Sequence, residues 1–319
     1  MKSNRSLLGS LILFIAAFLW GTSFVAQRIA SNFLTSVAYN AIRISIGTCV
    51  IFIVIVISDL VKHKLNKPIK KFNIATILGG IICGFCVFFA TTTQQIGLET
   101  TTAGKSGFIT ALYVAFVPVI GLLISRRTPA LGWIAIPVAI LGFALMSISN
   151  DMTVTMGDAI TLMCALLFSC HILLLDMFDN VDPLKITFVQ FFTASIIGII
   201  WMCASNQIPE PSQVADCIGP ILYVGILSTC FAYSCQTIGQ RMVAPALATL
   251  IMSLESVVAL VAGAVILHES ASVKEAIGVI LVFIAVMIAQ QAPYKVFLDN
   301  DFTLNKKGKV VKKRSAIQY

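Results

Sequence analysis

The sequence predicts an all-α integral membrane protein of ten transmembrane helices, built as two inverted five-helix repeats with both termini in the cytoplasm. Four observations carry that prediction. The 319 residues are 58% hydrophobic and only 11% charged, whereas soluble proteins average about 45–50% apolar residues. Apolar runs long enough to cross a bilayer recur along the whole chain. Basic residues then fall on one side of the resulting topology, and a motif from the first half returns in the second.

The spans are read in order from apolar runs broken by charge, proline and polar residues. Span 1 (7–27) exceeds the apolar core of a cleavable signal and carries Trp20 near its middle, too deep for an interfacial belt. Span 2 (37–58) holds Arg43, with Ser36, Asn40 and Gly47 at helical spacing on the same side. Span 3 (74–96) ends in the polar run Thr91, Thr92, Thr93, Gln94, Gln95. Span 4 (102–124) opens on Gly104-Lys105-Ser106 and contains Tyr113 and Pro118. Those opening letters are not a phosphate-binding loop, because Glu99 stands where its first glycine is required. Span 5 (131–149) contains Pro137, and span 6 (157–177) places His171 beside Cys170. Spans 7 (185–203) and 8 (218–238) come next; span 9 (244–267) carries Glu255, and span 10 (273–292) completes the set.

Lysine and arginine set the orientation. With the N-terminus inside, Lys62 to Lys71, Arg126, Arg127, Lys185, Arg241 and the basic residues of the tail are cytoplasmic, whereas the outer side receives only Arg28 and Lys274. The net charge of +8 is thereby absorbed by topology and by anionic lipid headgroups, so nucleic-acid binding is not expected. Nine cysteines lie almost entirely within apolar runs, and Cys83-x-x-Cys86 lacks a second pair or a histidine cluster. No metal, redox centre or cofactor is expected.

Phe89-Ala90, Gln94, Ile96 and Gly97 recur as Phe231-Ala232, Gln236, Ile238 and Gly239, at one constant separation of 142 residues. Each half holds five spans, and five is odd, so the second half runs inverted relative to the first. The expected division is a first repeat at 1–150, a second at 151–292, and a basic cytoplasmic tail at 293–319. Inverted repeats meeting around a midplane site are a common transporter architecture. Gln94, Gln95, Gln236 and Tyr233 then become candidate gates at opposite mouths; the alternative is that they only hydrogen-bond between helices.

Span 1 reads FLWGTSFVAQR (Phe18 to Arg28), span 4 GFITALYVAFVPVIGLL (Gly107 to Leu123), and span 9 LIMSLESVVALVAGAVILHES (Leu250 to Ser270). Together these resemble the EamA-type branch of the drug/metabolite transporter superfamily across residues 7–292. The resemblance implies a duplicated five-helix carrier of small metabolites with a central cavity between the repeats. It implies no particular substrate.

Ionisable groups within a span cost about 2.5–3.5 kcal/mol on insertion scales unless they meet a cavity or a partner. Glu255 sits about 16 Å into span 9 at about 1.5 Å per residue, close to the midplane. Proton coupling, binding of a substrate amine, or a structural carboxylate satisfied by Ser253 or Ser256 are its open readings. Arg43 suits a substrate carboxylate or phosphate through a bidentate fork, or a permanent pair with Glu255. Lys105 either lines an outer vestibule or snorkels to headgroups. His171 is a proton relay or a satisfied buried imidazole. Trp20 and Tyr113 either wall the cavity or pack in the core.

The function expected is a secondary active transporter, an exporter of a small polar metabolite such as an amino acid, working by alternating access with proton or sodium coupling. An enzyme is disfavoured, because the histidines are scattered in depth and the carboxylates do not cluster. A lipid-related flippase or a structural membrane subunit is the alternative. The expected setting is multi-pass in the plasma (inner) membrane of a bacterium, as a monomer or homodimer.

Overall fold

The computed structural model describes residues 2–124, 130–147, 155–268, 273–290, 302–304 and 310–312. Ten principal helices succeed one another: α1 (Lys2–Ala30), α2 (Ser36–Lys64), α3 (Ile74–Leu98), α4 (Ala103–Leu123), α5 (Ala130–Ser147), α6 (Met156–Met177), α7 (Pro183–Ala204), α8 (Ile218–Gly239), α9 (Pro245–Ile266) and α10 (Val273–Gln290). Among the described residues, all of these except α5 and α10 are long and apolar enough to cross a membrane. A short helix, Pro211–Asp216, precedes α8, and Phe302–Leu304 pairs antiparallel with Val310–Lys312 in the tail.

The polar residues that interrupt the apolar runs are helix caps. Thr35, Asn73 and Thr102 accept hydrogen bonds from the first-turn amides of α2, α3 and α4. Thr155 and Asp158 form a reciprocal capping box on α6, and Asp182 caps α7 with Pro183 at its first position. Residues facing outward, such as Leu11, Ile53, Phe85 and Ile200, are large and apolar, as a lipid-facing surface requires.

Packing partners are exchanged in a regular way. α1 packs on α8 and α9, while α6 packs on α3 and α4; α2 packs on α8, while α7 packs on α3. α2 also meets α7, α4 meets α9, and α5 meets α10. Swapping the first five helices for the last five returns the same set of partners. Two glycine crossings show the correspondence at atomic scale. A Cβ on Gly97 would lie 2.9 Å from the Gly157 carbonyl, and one on Gly239 would lie 3.1 Å from the Gly9 carbonyl. Gly97 and Gly239 end the motif that recurs in the sequence, so its glycines allow two backbones to touch.

Three helices depart from regular geometry. α4 breaks at Leu112 and α9 at Ser253, each through a tighter bond: Leu112 N to Ile109 O at 3.2 Å and Ser256 N to Ser253 O at 3.1 Å. Proline does not cause either break. α4 continues as a helix through Pro118, and α9 breaks without a proline nearby. α8 carries a ten-residue π-helical stretch, Tyr223–Ala232, whereas the corresponding α3 is α-helical throughout.

A candidate substrate cavity between the two halves

Both helix breaks adjoin one pocket among the helices. Tyr113 comes directly after the α4 break and Glu255 two residues after the α9 break, and both line that cavity. Its wall is largely aromatic and apolar, formed by Trp20, Phe24, Phe168, Ile172, Tyr233 and Met252. Polar groups enter from Ser23, Gln27, Arg43, Thr91, Gln94, Ser228, Gln236 and Glu255.

The lining repeats with the fold. Thr91 and Tyr233, Gln94 and Gln236, and Tyr113 and Glu255 are separated by the same 142 residues as the glycines. α1 and α6 match at 148 residues, through Gly9/Gly157, Ile12/Ile160, Ala17/Ala165 and Leu19/Leu167. That register adds Trp20/Phe168 and Phe24/Ile172 as equivalent lining positions. Both halves supply the same places around the cavity, with different chemistry at each.

Arg43 and Glu255 are the charged residues of the lining, and they are 2% and 4% exposed. Arg43 Nη1 reaches Thr229 Oγ1 at a long 3.4 Å, while Nε and Nη2 have no hydrogen-bond partner. Glu255 Oε1 and the Tyr113 hydroxyl face each other without a well-formed hydrogen bond, and neither has another partner. Buried polar groups are normally satisfied, and groups left open while aimed into a cavity are what a ligand completes. Gln27 Oε1 and Gln236 Oε1 are also without a partner, whereas other lining groups are tied in place. Trp20 packs edge-on to Tyr233 at 4.8 Å between centroids and its indole N–H donates to the Ser228 carbonyl at 3.4 Å. Gln94 donates to Thr110 at 3.2 Å.

Most of the candidate positions named from sequence converge here: Glu255, Arg43, Trp20, Tyr113, Gln94, Gln236 and Tyr233. Gln95, Lys105 and His171 do not line the cavity. Gln95 donates to the Gln27 main-chain carbonyl at 3.2 Å, tying α3 to α1. Lys105 is 2.6 Å from Asp158, whose other carboxylate oxygen accepts from Thr101 at 3.1 Å. His171 Nε2 lies 2.9 Å from Gln190 Oε1, and its ring packs against Tyr233 one layer behind the wall. Ser23, Phe24 and Gln27 escaped sequence reading although they lie one to two turns beyond Trp20 on the same helix. Asp158 escaped because it sits at the very start of its span.

Comparison with known proteins agrees with this architecture. The sequence pattern of the EamA-like transporter family matches twice, over residues 7–148 and 155–290. An uncharacterized transporter of Archaeoglobus fulgidus is 27% identical over 290 residues, covering 89% of this chain and 86% of its own. The uncharacterized transporter YwfM of Bacillus subtilis is 25% identical over 308 residues, covering 92% and 97%. A solved crystal structure at 15% identity superposes with a TM-score of 0.69 over 88% of this chain and 96% of that one, a likeness of fold.

Proposed function

The chain belongs to the EamA-like transporter family, and on that premise we propose that it is a secondary active carrier of a small zwitterionic metabolite of the amino-acid type. The observation that carries the reading is the pair of unsatisfied charged groups in one cavity: the Arg43 guanidinium with two open nitrogens and the Glu255 carboxylate with one open oxygen. A carboxylate completes the first through a charge-assisted fork. An ammonium completes the second, with the Tyr113 hydroxyl beside it. The apolar wall of Trp20, Phe168, Ile172 and Met252 leaves room for a side chain.

The transport cycle is alternating access between two inverted repeats, 1–150 and 151–292, in a ten-span chain whose termini and basic tail face the cytoplasm of a bacterial plasma membrane. The paired family match and the exchange-symmetric packing support that reading. Glu255 and Tyr113 occupy equivalent positions on α9 and α4, helices that pack on one another. A group placed there is reached from either mouth in turn, which suits a carboxylate that exchanges a proton with whichever side is open. Export is the expected direction, with substrate and proton moving oppositely.

The test is counterflow in proteoliposomes loaded with amino acids, amines, nucleosides and organic acids, with Glu255→Gln in parallel. Exchange of amino acids that loses its pH dependence in the variant supports the proposal. Exchange of anions alone, or of no soluble metabolite in folded protein, overturns it; lipid scrambling by the same vesicles would mark a flippase.

A further inference from the structure

We infer that Arg28 and Arg241 are the paired gate residues of this carrier, each closing one mouth by binding the carboxyl-terminal carbonyls of a neighbouring helix. Arg28, at the end of α1, donates from Nη1 to the Leu98 carbonyl at 2.6 Å and to that of Glu99 at 3.2 Å, at the end of α3. Arg241, just past the end of α8, donates to the Val181 carbonyl and to that of Phe178 at 3.5 Å, just past the end of α6. The final carbonyls of a helix have no partner within it and carry the negative end of its dipole, so a guanidinium is well suited to hold them.

The two contacts are one joint made twice with its charges reversed. α1 corresponds to α6 and α3 to α8. In the registers that align the glycine crossings, Arg28 stands where the second half has Asp176, and Arg241 stands where the first half has Glu99. At one mouth the arginine comes from the α1 side and the carbonyls from α3; at the other it comes from the α8 side and the carbonyls from α6. The first lies beside the Gly97–Gly157 crossing and the second beside the Gly9–Gly239 crossing. Glu99 is not left free by this arrangement, because Ser36 donates to its carboxylate at 2.5 Å. Both arginines are half-buried, within reach of water when a mouth opens.

The inference rests on alternating access in the proposed function, and requires that the joints be coupled: releasing one favours closure of the other. Hydrogen exchange of the full-length protein in lipid nanodiscs reads this without any substrate. In Arg28→Gln, amides at 96–103 should exchange about tenfold faster, while those at 176–186 become slower than in wild type. Arg241→Gln should give the mirror pattern, and Arg28→Lys, which keeps the charge, should return most of the wild-type pattern. Faster exchange confined to the altered joint, with no slowing at the other, overturns the gate assignment and leaves two structural ties. General acceleration in the Gln variants together with wild-type behaviour in the Lys variant also overturns it. A chain that exchanges no zwitterion but shows the reciprocal pattern loses its substrate assignment and keeps its gates; one that transports without reciprocity loses the gates alone.

Discussion

The two halves of this molecule agree where they pack and disagree where they face the cavity. Both halves bring glycine against glycine at a helix crossing, break a cavity helix at nearly the same position, and wall the cavity from matching places. Within that frame Tyr113 stands opposite Glu255, Thr91 opposite Tyr233, and a regular α3 opposite an α8 with ten π-helical residues. Packing is constrained twice over by a shared backbone path, whereas a site for the zwitterion proposed above needs unlike groups for its unlike ends. The difference places the acid of the lining on one half and its arginine on the other.

The largest effect expected stems from that division. Arg43→Ala removes the cation facing the cavity, and a lost charged hydrogen bond of about 1.5–3 kcal/mol corresponds to roughly 10- to 150-fold weaker substrate binding. Radioligand binding or counterflow measures it; Arg43→Lys should recover only part, because an ammonium cannot fork to a carboxylate. An Arg43→Ala protein that binds zwitterions as tightly as wild type would break the comparison at its centre. The glycine crossings test the packing side. Gly97→Ala sets a Cβ 2.9 Å from a backbone carbonyl and closer still to Thr161 Oγ1, whereas Gly239→Ala meets the more yielding Leu13 side chain at 2.7 Å. Overpacking costs about 1–3 kcal/mol, with Gly97→Ala at the upper end. The thermal midpoint in detergent should fall more for Gly97→Ala than for Gly239→Ala; equal losses would mean that the two joints are as alike in tightness as in design.

Much of this was legible from the order of residues. Hydropathy located the helices, and the returning Phe-Ala, Gln and Ile-Gly letters marked α3 and α8 as counterparts because both glycines meet the same packing demand. Glu255 and Arg43 were visible as charges too costly to leave in lipid. The α1–α6 correspondence was harder to see, since the connection between spans 2 and 3 shifts its register from 142 to 148 residues and few letters survive. The π stretch has no periodic signature, because its side chains remain apolar whichever helix they join. Lys105 looked the same in sequence whether it faced a vestibule or an acid, and only the fold brings Asp158 to within 2.6 Å of it.

A smaller effect belongs to Tyr113, the counterpart of Glu255. Its hydroxyl makes no well-formed hydrogen bond and faces only the Glu255 carboxylate, so Tyr113→Phe should change stability by no more than about 0.5 kcal/mol. Substrate affinity should still drop by up to about tenfold, the worth of one neutral hydrogen bond. A loss of stability with unchanged affinity would instead make Tyr113 a packing residue and narrow the functional asymmetry to Glu255.

The smallest effect sharpens the contrast between α3 and α8. Gly219, in the first turn of α8, has nothing within 4 Å of where a Cβ would stand, whereas a Cβ on Gly225 would lie 3.0 Å from the Arg43 carbonyl. Ala is favoured over Gly in a helix by about 1 kcal/mol, so Gly219→Ala should raise the thermal midpoint slightly. If the π stretch is held by the close approach of Gly225 to α2, stiffening the turn before it changes nothing at the cavity, and transport stays at the wild-type rate. If transport falls while stability rises, the stretch depends on a loose first turn, and the asymmetry between the halves is a property of the α8 backbone rather than of its contact with α2.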